Sequence, residues 1–318
     1  MADLRWRDLI GPVGRLETGP LNAITDVEGV TVGSSQAASG EATGVTIIAP
    51  PNLPAPAGVA TINGVGELTA KLEIDERGVM ETPVHLCGSH AIGTVLQAAI
   101  NGSGRGPEHV VLPVVGECDD GDMADSRTVV TGDVDAARQN LGRTVDEGTV
   151  GAGTGMSCFD FPGGIGTASR TVGQHRVGVL LLCNFGSREY LALPGIQLDP
   201  AIRKAASHGS CIAICATDAP LSARQLKRLA LRPLLGLARA GSFASEGSGE
   251  IGLAFSTADG GTGLPNDQLN PYLAAAWESA HEAVYNCLVA ARPGTRLDGS
   301  SQDQFPIEQI VAASNGET

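Results

Sequence analysis

Short apolar runs of strand length alternate with long helical stretches in the second half of this chain. The runs cover residues 177–183, 210–217 and 251–257, and each is four to eight residues of mostly aliphatic character. Helical spacing of leucine and alanine marks residues 221–240 and 271–291, and Pro233 inside the first predicts a kink or a break. Strands and helices in this proportion predict a layered α/β or α+β domain.

The amino-acid composition indicates closely packed layers. Of 318 residues, 43 are glycine and only 3% are aromatic, while 42% are hydrophobic. Such a chain buries a large core, in one large domain or two ordinary ones, without many bulky side chains. Since no linker, composition break or internal repeat divides the sequence, we expect a single structural domain over 1–318.

Charge and cysteine usage exclude several classes of protein. The formal net charge of −14 argues against non-specific binding to nucleic acid or anionic membranes. Charged residues within the first eight positions argue against a signal peptide, and no apolar run is long enough to span a membrane. Seven scattered cysteines without CxxC spacing predict reduced core thiols, and the six histidines form no HExxH motif. We therefore expect a cytoplasmic protein without disulfides, metal or cofactor.

A glycine–serine step precedes the apolar run 210–217. Gly209 leaves the peptide bond before Ser210 unhindered on one side. If that bond were cut, Ser210 would carry a hydroxyl and a free α-amine with a pKa of roughly 7.7–8.0. The amine would then serve as the base for its own hydroxyl, as in N-terminal-nucleophile hydrolases. The alternative is an ordinary serine that opens a strand after a loop.

Four further polar residues stand at strand ends, where catalytic groups are often placed. Asn184 directly follows the run 177–183, and its side-chain amide could donate to an oxyanion, although such residues also cap turns. Glu117 begins an acidic loop, for which a solvated turn is the alternative. Ser248 and Glu250 lie two apart at a strand entry, either on one catalytic face or facing solvent.

Seven segments together carry a resemblance to one family. They are GPLNAITDVEGVTVG at 19–33, ETPVHLCGSHAIG at 81–93, PVVGECDDG at 113–121, GTVGAGTGMSCFDFPGGIGTASR at 148–170, GVLLLCNFG at 178–186, SCIAICATDAPL at 210–221 and GSFASEGSGEIGLAFSTA at 241–258. In this order the chain resembles the L-aminopeptidase/D-esterase (DmpA-like) family, which includes the β-peptidyl aminopeptidases. These are self-processing hydrolases similar to N-terminal-nucleophile enzymes.

The resemblance implies a fold and a processing step. The fold is a four-layer αββα sandwich, in which two central β-sheets are flanked by helices. The precursor would cut itself between Gly209 and Ser210, giving an α-subunit of residues 1–209 and a β-subunit of residues 210–318.

The resemblance also implies a role for each candidate residue. Ser210 is the nucleophile, Ser248 and Glu250 support it, Asn184 binds the oxyanion and Glu117 meets the free amine of the substrate. Enzymes of this kind remove N-terminal residues from small peptides, amides or esters, including β-peptides. They use no metal and assemble as oligomers of processed heterodimers.

Three departures from the family pattern lie near the implied pocket. Asp119 replaces an aromatic residue, Gly88 replaces an asparagine, and Asp259-Gly260-Gly261 replaces an asparagine and an arginine. They alter the rim of the pocket, so the resemblance leaves the substrate unspecified: Asp119 would either favour cationic substrates or be an ordinary solvated carboxylate. Two other functions stay open: an amidase or acyltransferase acting on a non-peptide amide, and an unprocessed binding protein without catalysis.

Overall fold

The computed structural model describes residues 4–193, 196, 209–259 and 262–315. In these ranges the strands are β1 (Thr31–Gln36), β2 (Gly44–Ala49), β3 (Ala55–Gly64), β4 (Val79–Met80), β5 (Val84–Gly88), β6 (Val114–Cys118), β7 (Ser157–Cys158), β8 (Phe161–Pro162), β9 (Gly164–Val172), β10 (His175–Asn184), β11 (Ser210–Thr217) and β12 (Gly249–Ser256). The helices are α1 (Trp6–Leu9), α2 (Lys71–Arg77), α3 (Ile92–Asn101), α4 (Thr131–Gln139), α5 (Ala223–Ala240), α6 (Asn270–Ala290) and α7 (Ile307–Ser314).

Two β-sheets form the centre of the described structure. One sheet has the order β1-β2-β5-β6, and the other has the order β4-β3-β12-β11-β10-β9. In the larger sheet, β11 lies between β10, which is antiparallel to it, and β12, which is parallel. The start of β11 is therefore enclosed by a neighbouring strand on each side.

Three hydrophobic cores define the layers. The first fills the space between the larger sheet and helices α5 and α6, the second lies between the two sheets, and the third lies between the smaller sheet and helices α3 and α4. Alternate residues of β11 serve different cores, since Cys211 and Ala213 face the helices while Ile212 and Ile214 face the other sheet. This arrangement confirms the predicted αββα sandwich.

Helix α5 corrects one expectation. It runs unbroken from Ala223 to Ala240 with Pro233 inside it, so a break at that proline is wrong. An interior proline costs about 3 kcal/mol. Burial of Leu229, Leu234 and Leu237 offsets that cost, because each buried leucine contributes about 1.5–3 kcal/mol.

The glycine-rich stretch 148–166 brings backbone segments into contact. A Cβ atom on Gly164 would stand 2.0 Å from the carbonyl oxygen of Gly148, and one on Gly166 would stand 2.1 Å from that of Ala283 on α6. Only glycine allows approaches this close. The stretch therefore packs β9 against its neighbours, as the composition predicts.

Buried charges attach the N-terminal segment to helix α6. Arg170 on β9 is fully buried and pairs with Glu282 at 2.6 Å and with Glu278 at 3.3 Å. The Asn22 side chain donates to Glu282 at 2.7 Å, and Arg7 pairs with the same carboxylate at 2.8 Å. These paired charges lower the pKa of Glu282 against the opposing effect of burial.

Candidate active site

Ser210 begins β11 with partners on both sides. In the sheet register it lies opposite Asn184, the last residue of β10, and beside Gly249, the first residue of β12. Ser210 is buried, with 8% of its surface exposed, and it lines a cavity. The sheet therefore brings together two of the predicted site residues that are 26 positions apart in sequence.

The residue before Ser210 has to be glycine. A Cβ atom on Gly209 would stand 2.1 Å from the carbonyl oxygen of Asn184 and 2.8 Å from the Cα atom of Phe185. Both contacts are with backbone, which cannot rotate away as a flexible side chain does. Gly209 thus lets the chain pass close to the end of β10 and places its own peptide bond beside Asn184.

Two hydrogen bonds fix the side-chain amide of Asn184. Its Oδ1 accepts from the backbone N–H of Ser157 at 2.9 Å, and its Nδ2 donates to the carbonyl oxygen of Asp119 at 2.8 Å. A primary amide has two N–H donors, so this arrangement leaves one for another acceptor. The amide is oriented before any ligand is bound.

Ser248 and Glu250 share one hydrogen bond at the entry to β12. The Ser248 hydroxyl donates to Oε1 of Glu250, and both residues are buried. Among the described residues, Oε2 of Glu250 has no hydrogen-bond partner. Burial raises the pKa of the Glu250 carboxyl, and the hydrogen bond from Ser248 opposes that rise. A buried, unpaired carboxylate oxygen one residue from Gly249 is a ready acceptor for an amine.

Glu117 lies near the end of β6, in the smaller sheet. Its Oε1 accepts from the backbone N–H of Glu67 at 2.8 Å, and its Oε2 accepts from the hydroxyl of Ser89. Glu117 is 8% exposed, and a Cβ on Gly66 would stand 3.4 Å from Oε1. Gly66 in turn lies near Gly249, since that same Cβ would be 3.8 Å from the Gly249 Cα atom. The carboxylate is therefore held in one orientation close to the entry of β12.

The cavity at Ser210 has a volume of about 410 Å³ and a mixed charge. Its lining includes the three acidic residues Asp119, Asp122 and Asp160 and one guanidinium, that of Arg296. Asp160 has a φ of +60° and follows Phe159 with a φ of +51°, which places both residues in the left-handed region that side chains rarely adopt. These consecutive values form the turn between β7 and β8, which brings Asp160 to the cavity wall.

The departure at Gly88 has a structural counterpart. A Cβ on Gly88 would stand 2.3 Å from Oδ2 of Asp120, so the carboxyl of Asp120 occupies the space of a side chain. Asp120 accepts a hydrogen bond from Thr43 at 2.6 Å, and burial raises its pKa. The other departure is described only at Asp259, because residues 260 and 261 lie outside the described residues.

The described residues contain neither a cluster of metal-ligand side chains nor a membrane-spanning helix. Over 4–193, 196, 209–259 and 262–315, no three His, Cys, Asp or Glu side chains are grouped as metal ligands would be. In the same ranges, no helix has the length and apolar character needed to cross a membrane.

The family model of peptidase family S58 matches residues 22–302. That span includes every candidate site residue. The chain belongs to peptidase family S58. The predicted hydrolase class and the predicted family are thereby confirmed.

Relatives and solved structures agree with this membership. This S58 peptidase is 36% identical to the β-peptidyl aminopeptidase BapA of Sphingosinicella microcystinivorans, over 97% of this chain and 91% of that protein. A β-aminopeptidase structure from a Burkholderia species matches with a TM-score of 0.90 at 34% identity, over 98% of this chain and 99% of that one. The L-aminopeptidase D-Ala-esterase/amidase of Ochrobactrum anthropi, described as a variant of the Ntn hydrolase fold, matches with a TM-score of 0.86 at 34% identity, with the same coverage.

Several residues of the site are not predicted from the sequence. Ser89 donates to Glu117, and Ser157 and Asp160 line the cavity at Ser210, yet no motif or spacing singles out any of the three. Arg296 lies in a loop after the last long helix. The turn at Phe159-Asp160 cannot be recognised from the sequence, because turns with two positive φ values usually contain glycine or asparagine.

Proposed function

We propose that this S58 peptidase is a self-processing aminopeptidase that removes N-terminal residues from small peptides, amides or esters, including β-peptides. The observation that carries the proposal is the position of Ser210, which starts a buried strand opposite Asn184 and lines a cavity. The names of its relatives, two of which are β-aminopeptidases, support the substrate class.

The first step is cleavage of the precursor. The Ser210 Oγ attacks the carbonyl carbon of Gly209, and the peptide C–N bond breaks as the ester forms, so the nitrogen of Ser210 becomes an amine. Water then hydrolyses the ester, which returns the hydroxyl to Ser210 and leaves a carboxylate on Gly209. The fragments 1–209 and 210–318 stay together, because eight residue pairs join β10 to β11 across the cut.

Catalysis then uses the new α-amine. It takes the proton of the Ser210 hydroxyl as Oγ attacks the substrate carbonyl, and the remaining N–H of the Asn184 amide stabilises the oxyanion. Glu250 Oε2 accepts from the ammonium that forms, with Ser248 fixing the other carboxylate oxygen. The acyl-enzyme is released by water. Glu117 meets the free ammonium of the substrate, since a buried cation requires a carboxylate.

The mass of the native protein tests the proposal. We expect two species, with fragment boundaries at 209/210 and serine at the new N-terminus, and hydrolysis of alanyl and β-alanyl amides without added metal. An uncut chain, or a second fragment that begins at another residue, would contradict it. Transfer of the acyl group to an added amine in preference to water would favour the acyltransferase alternative.

We also propose that processed heterodimers assemble into a homo-oligomer in the cytoplasm. The family resemblance supports this assembly. Light scattering at micromolar concentration is expected to give a mass above that of one processed protomer. A stable single protomer at that concentration would contradict the expectation.

A further inference from the structure

A second cavity adjoins the one at Ser210. It has a volume of about 210 Å³, and its lining includes Gly186, Tyr190, Phe243, Gly247 and Ser248. Gly247 lines both cavities, and Ser248 is the serine that is hydrogen-bonded to Glu250. A substrate bound at Ser210 would therefore extend past Gly247 into this second cavity.

Two aromatic side chains stand at this cavity. All eleven aromatic residues of the chain lie in the described ranges, and Tyr190 and Phe243 are the two that are exposed, at 49% and 62%. Their ring centroids are 4.8 Å apart in an edge-to-face arrangement. Exposed aromatic groups placed side by side are typical of binding surfaces, because they offer a large apolar area at little cost in entropy.

The backbone around Tyr190 is fixed. Ala192 donates to the carbonyl oxygen of Ala240 at 2.9 Å, which joins this segment to the end of α5. Arg188 pairs with Asp303 at 2.8 Å and lies 4.0 Å above the ring of Phe161. Tyr190 therefore lies on a turn whose backbone is held in place by these contacts.

The loop that carries Phe243 is fixed as well. The side chain of Asn63 donates to the carbonyl oxygens of Ala244 and Ser245, both at 2.9 Å. Ser248 donates through its backbone N–H to Ser245 at 2.9 Å. Both aromatic side chains are therefore exposed on segments whose backbone is already held in place, which lowers the entropy cost of binding a ligand.

The charged residues in this lining are acidic. Glu189 and Glu246 contribute carboxylates, and the described part of the lining contains neither lysine nor arginine. The cavity would therefore accept a neutral or cationic aromatic group and disfavour an anionic one.

We propose that Tyr190 and Phe243 form a subsite that binds a neutral aromatic group of the substrate. This inference rests on the proposed amide hydrolysis at Ser210 and adds a specificity to it. The aromatic group belongs either to the residue that is removed or to the amine that leaves, and two substrate series distinguish these sources.

The first experiment compares turnover within matched pairs. Alanyl benzylamide and alanyl methylamide differ in the leaving amine, and phenylalanyl and alanyl methylamide differ in the residue removed. For the native protein we expect kcat/KM to be about tenfold higher for the aromatic member of one pair. In F243A and in the double variant Y190A/F243A this preference should fall to about twofold or less. A carboxylate on the ring should abolish the advantage.

The control is V110A, which trims another exposed apolar side chain, 78% exposed, in a loop outside both cavities. It should keep the aromatic preference. An unchanged preference in both pairs for Y190A/F243A would overturn the subsite. If Y190A/F243A lost kcat/KM equally on all substrates and had a smaller mass by light scattering, the subsite would also be overturned. Tyr190 and Phe243 would then be assigned to a contact between copies of the protein.

A binding measurement separates this inference from the proposed function. Ligand-observed NMR reports contact between the benzyl ring and the protein whether or not the amide is cleaved. Ring contact that the native protein shows and F243A loses would support the subsite, whether or not the amide is cleaved. Absence of turnover would instead reject the proposed hydrolase function. Ring signals that F243A leaves unchanged would overturn the subsite.

Discussion

Ser210→Ala should leave the protein as one uncut chain without measurable activity. The variant lacks the oxygen that attacks the Gly209 carbonyl, and without cleavage no α-amine is released to act as base. Loss of the nucleophile in a serine hydrolase lowers kcat by about 10⁴-fold or more. Denaturing electrophoresis and intact mass report the cut, and hydrolysis of alanyl 4-nitroanilide reports the activity.

Two comparisons protect this result from a folding artefact. Removal of one oxygen from a buried serine beside Asn184 should leave thermal unfolding nearly unchanged, because the strand pairing of β11 uses backbone groups. Ser210→Cys keeps a nucleophile and should process slowly, giving fragments that Ser210→Ala never gives. A cut or active Ser210→Ala protein would refute the mechanism.

The layered fold was accessible from the sequence because its central strands are continuous aliphatic runs. The predicted strand 177–183 lies within β10, and the predicted strand 251–257 matches β12 except for Thr257, since β12 ends at Ser256. Both faces of these strands are buried, one against helices and one against the second sheet, so their sequences show no polar alternation. The order of segments in a known family supplied the sandwich arrangement itself.

Strands rich in glycine and alanine were missed. β3 reads APAGVATING and β9 reads GIGTASRTV, and neither has the aliphatic density on which the sequence assignment depended. At Gly58 and Gly166 the small residue is required by a neighbouring helix, because an added Cβ would stand 2.3 Å from the backbone of α5 or 2.1 Å from that of α6. Close packing in the layers thus removes the signal that usually identifies a strand.

The site was predicted as separate residues but not as a geometry. Ser248 and Glu250 were placed on one side by their spacing, and their hydrogen bond agrees with that prediction. Contacts between neighbouring strands of one sheet, such as that of Ser89 after β5 with Glu117 on β6, join residues 28 positions apart and depend on strand order. The roles assigned to these residues stay predictions until they are tested by substitution.

Glu117→Gln should separate substrates by their free amine. The amide is nearly isosteric with the carboxylate and keeps an oxygen to accept from the Glu67 N–H, so the local structure should be preserved. Removing the charge leaves the substrate ammonium without its partner, a loss worth about 2–5 kcal/mol for a buried charge pair. We expect kcat/KM for alanyl amides to fall by about 10²-fold or more, and that for an N-acetylated ester to change by less than about threefold.

The matched control for this prediction is Asp122→Asn. Asp122 is an exposed carboxylate that lines the cavity at Ser210, so its substitution removes the same unit of charge near the same nucleophile. If the effect of Glu117 were only the general negative potential of the cavity, Asp122→Asn would discriminate between the two substrates to a similar degree. A direct contact predicts discrimination in Glu117→Gln alone. Equal losses on both substrates in Glu117→Gln would show that this carboxylate does not bind the substrate amine, and that the hydrogen bonds it accepts from Glu67 and Ser89 serve only the local structure around the end of β6.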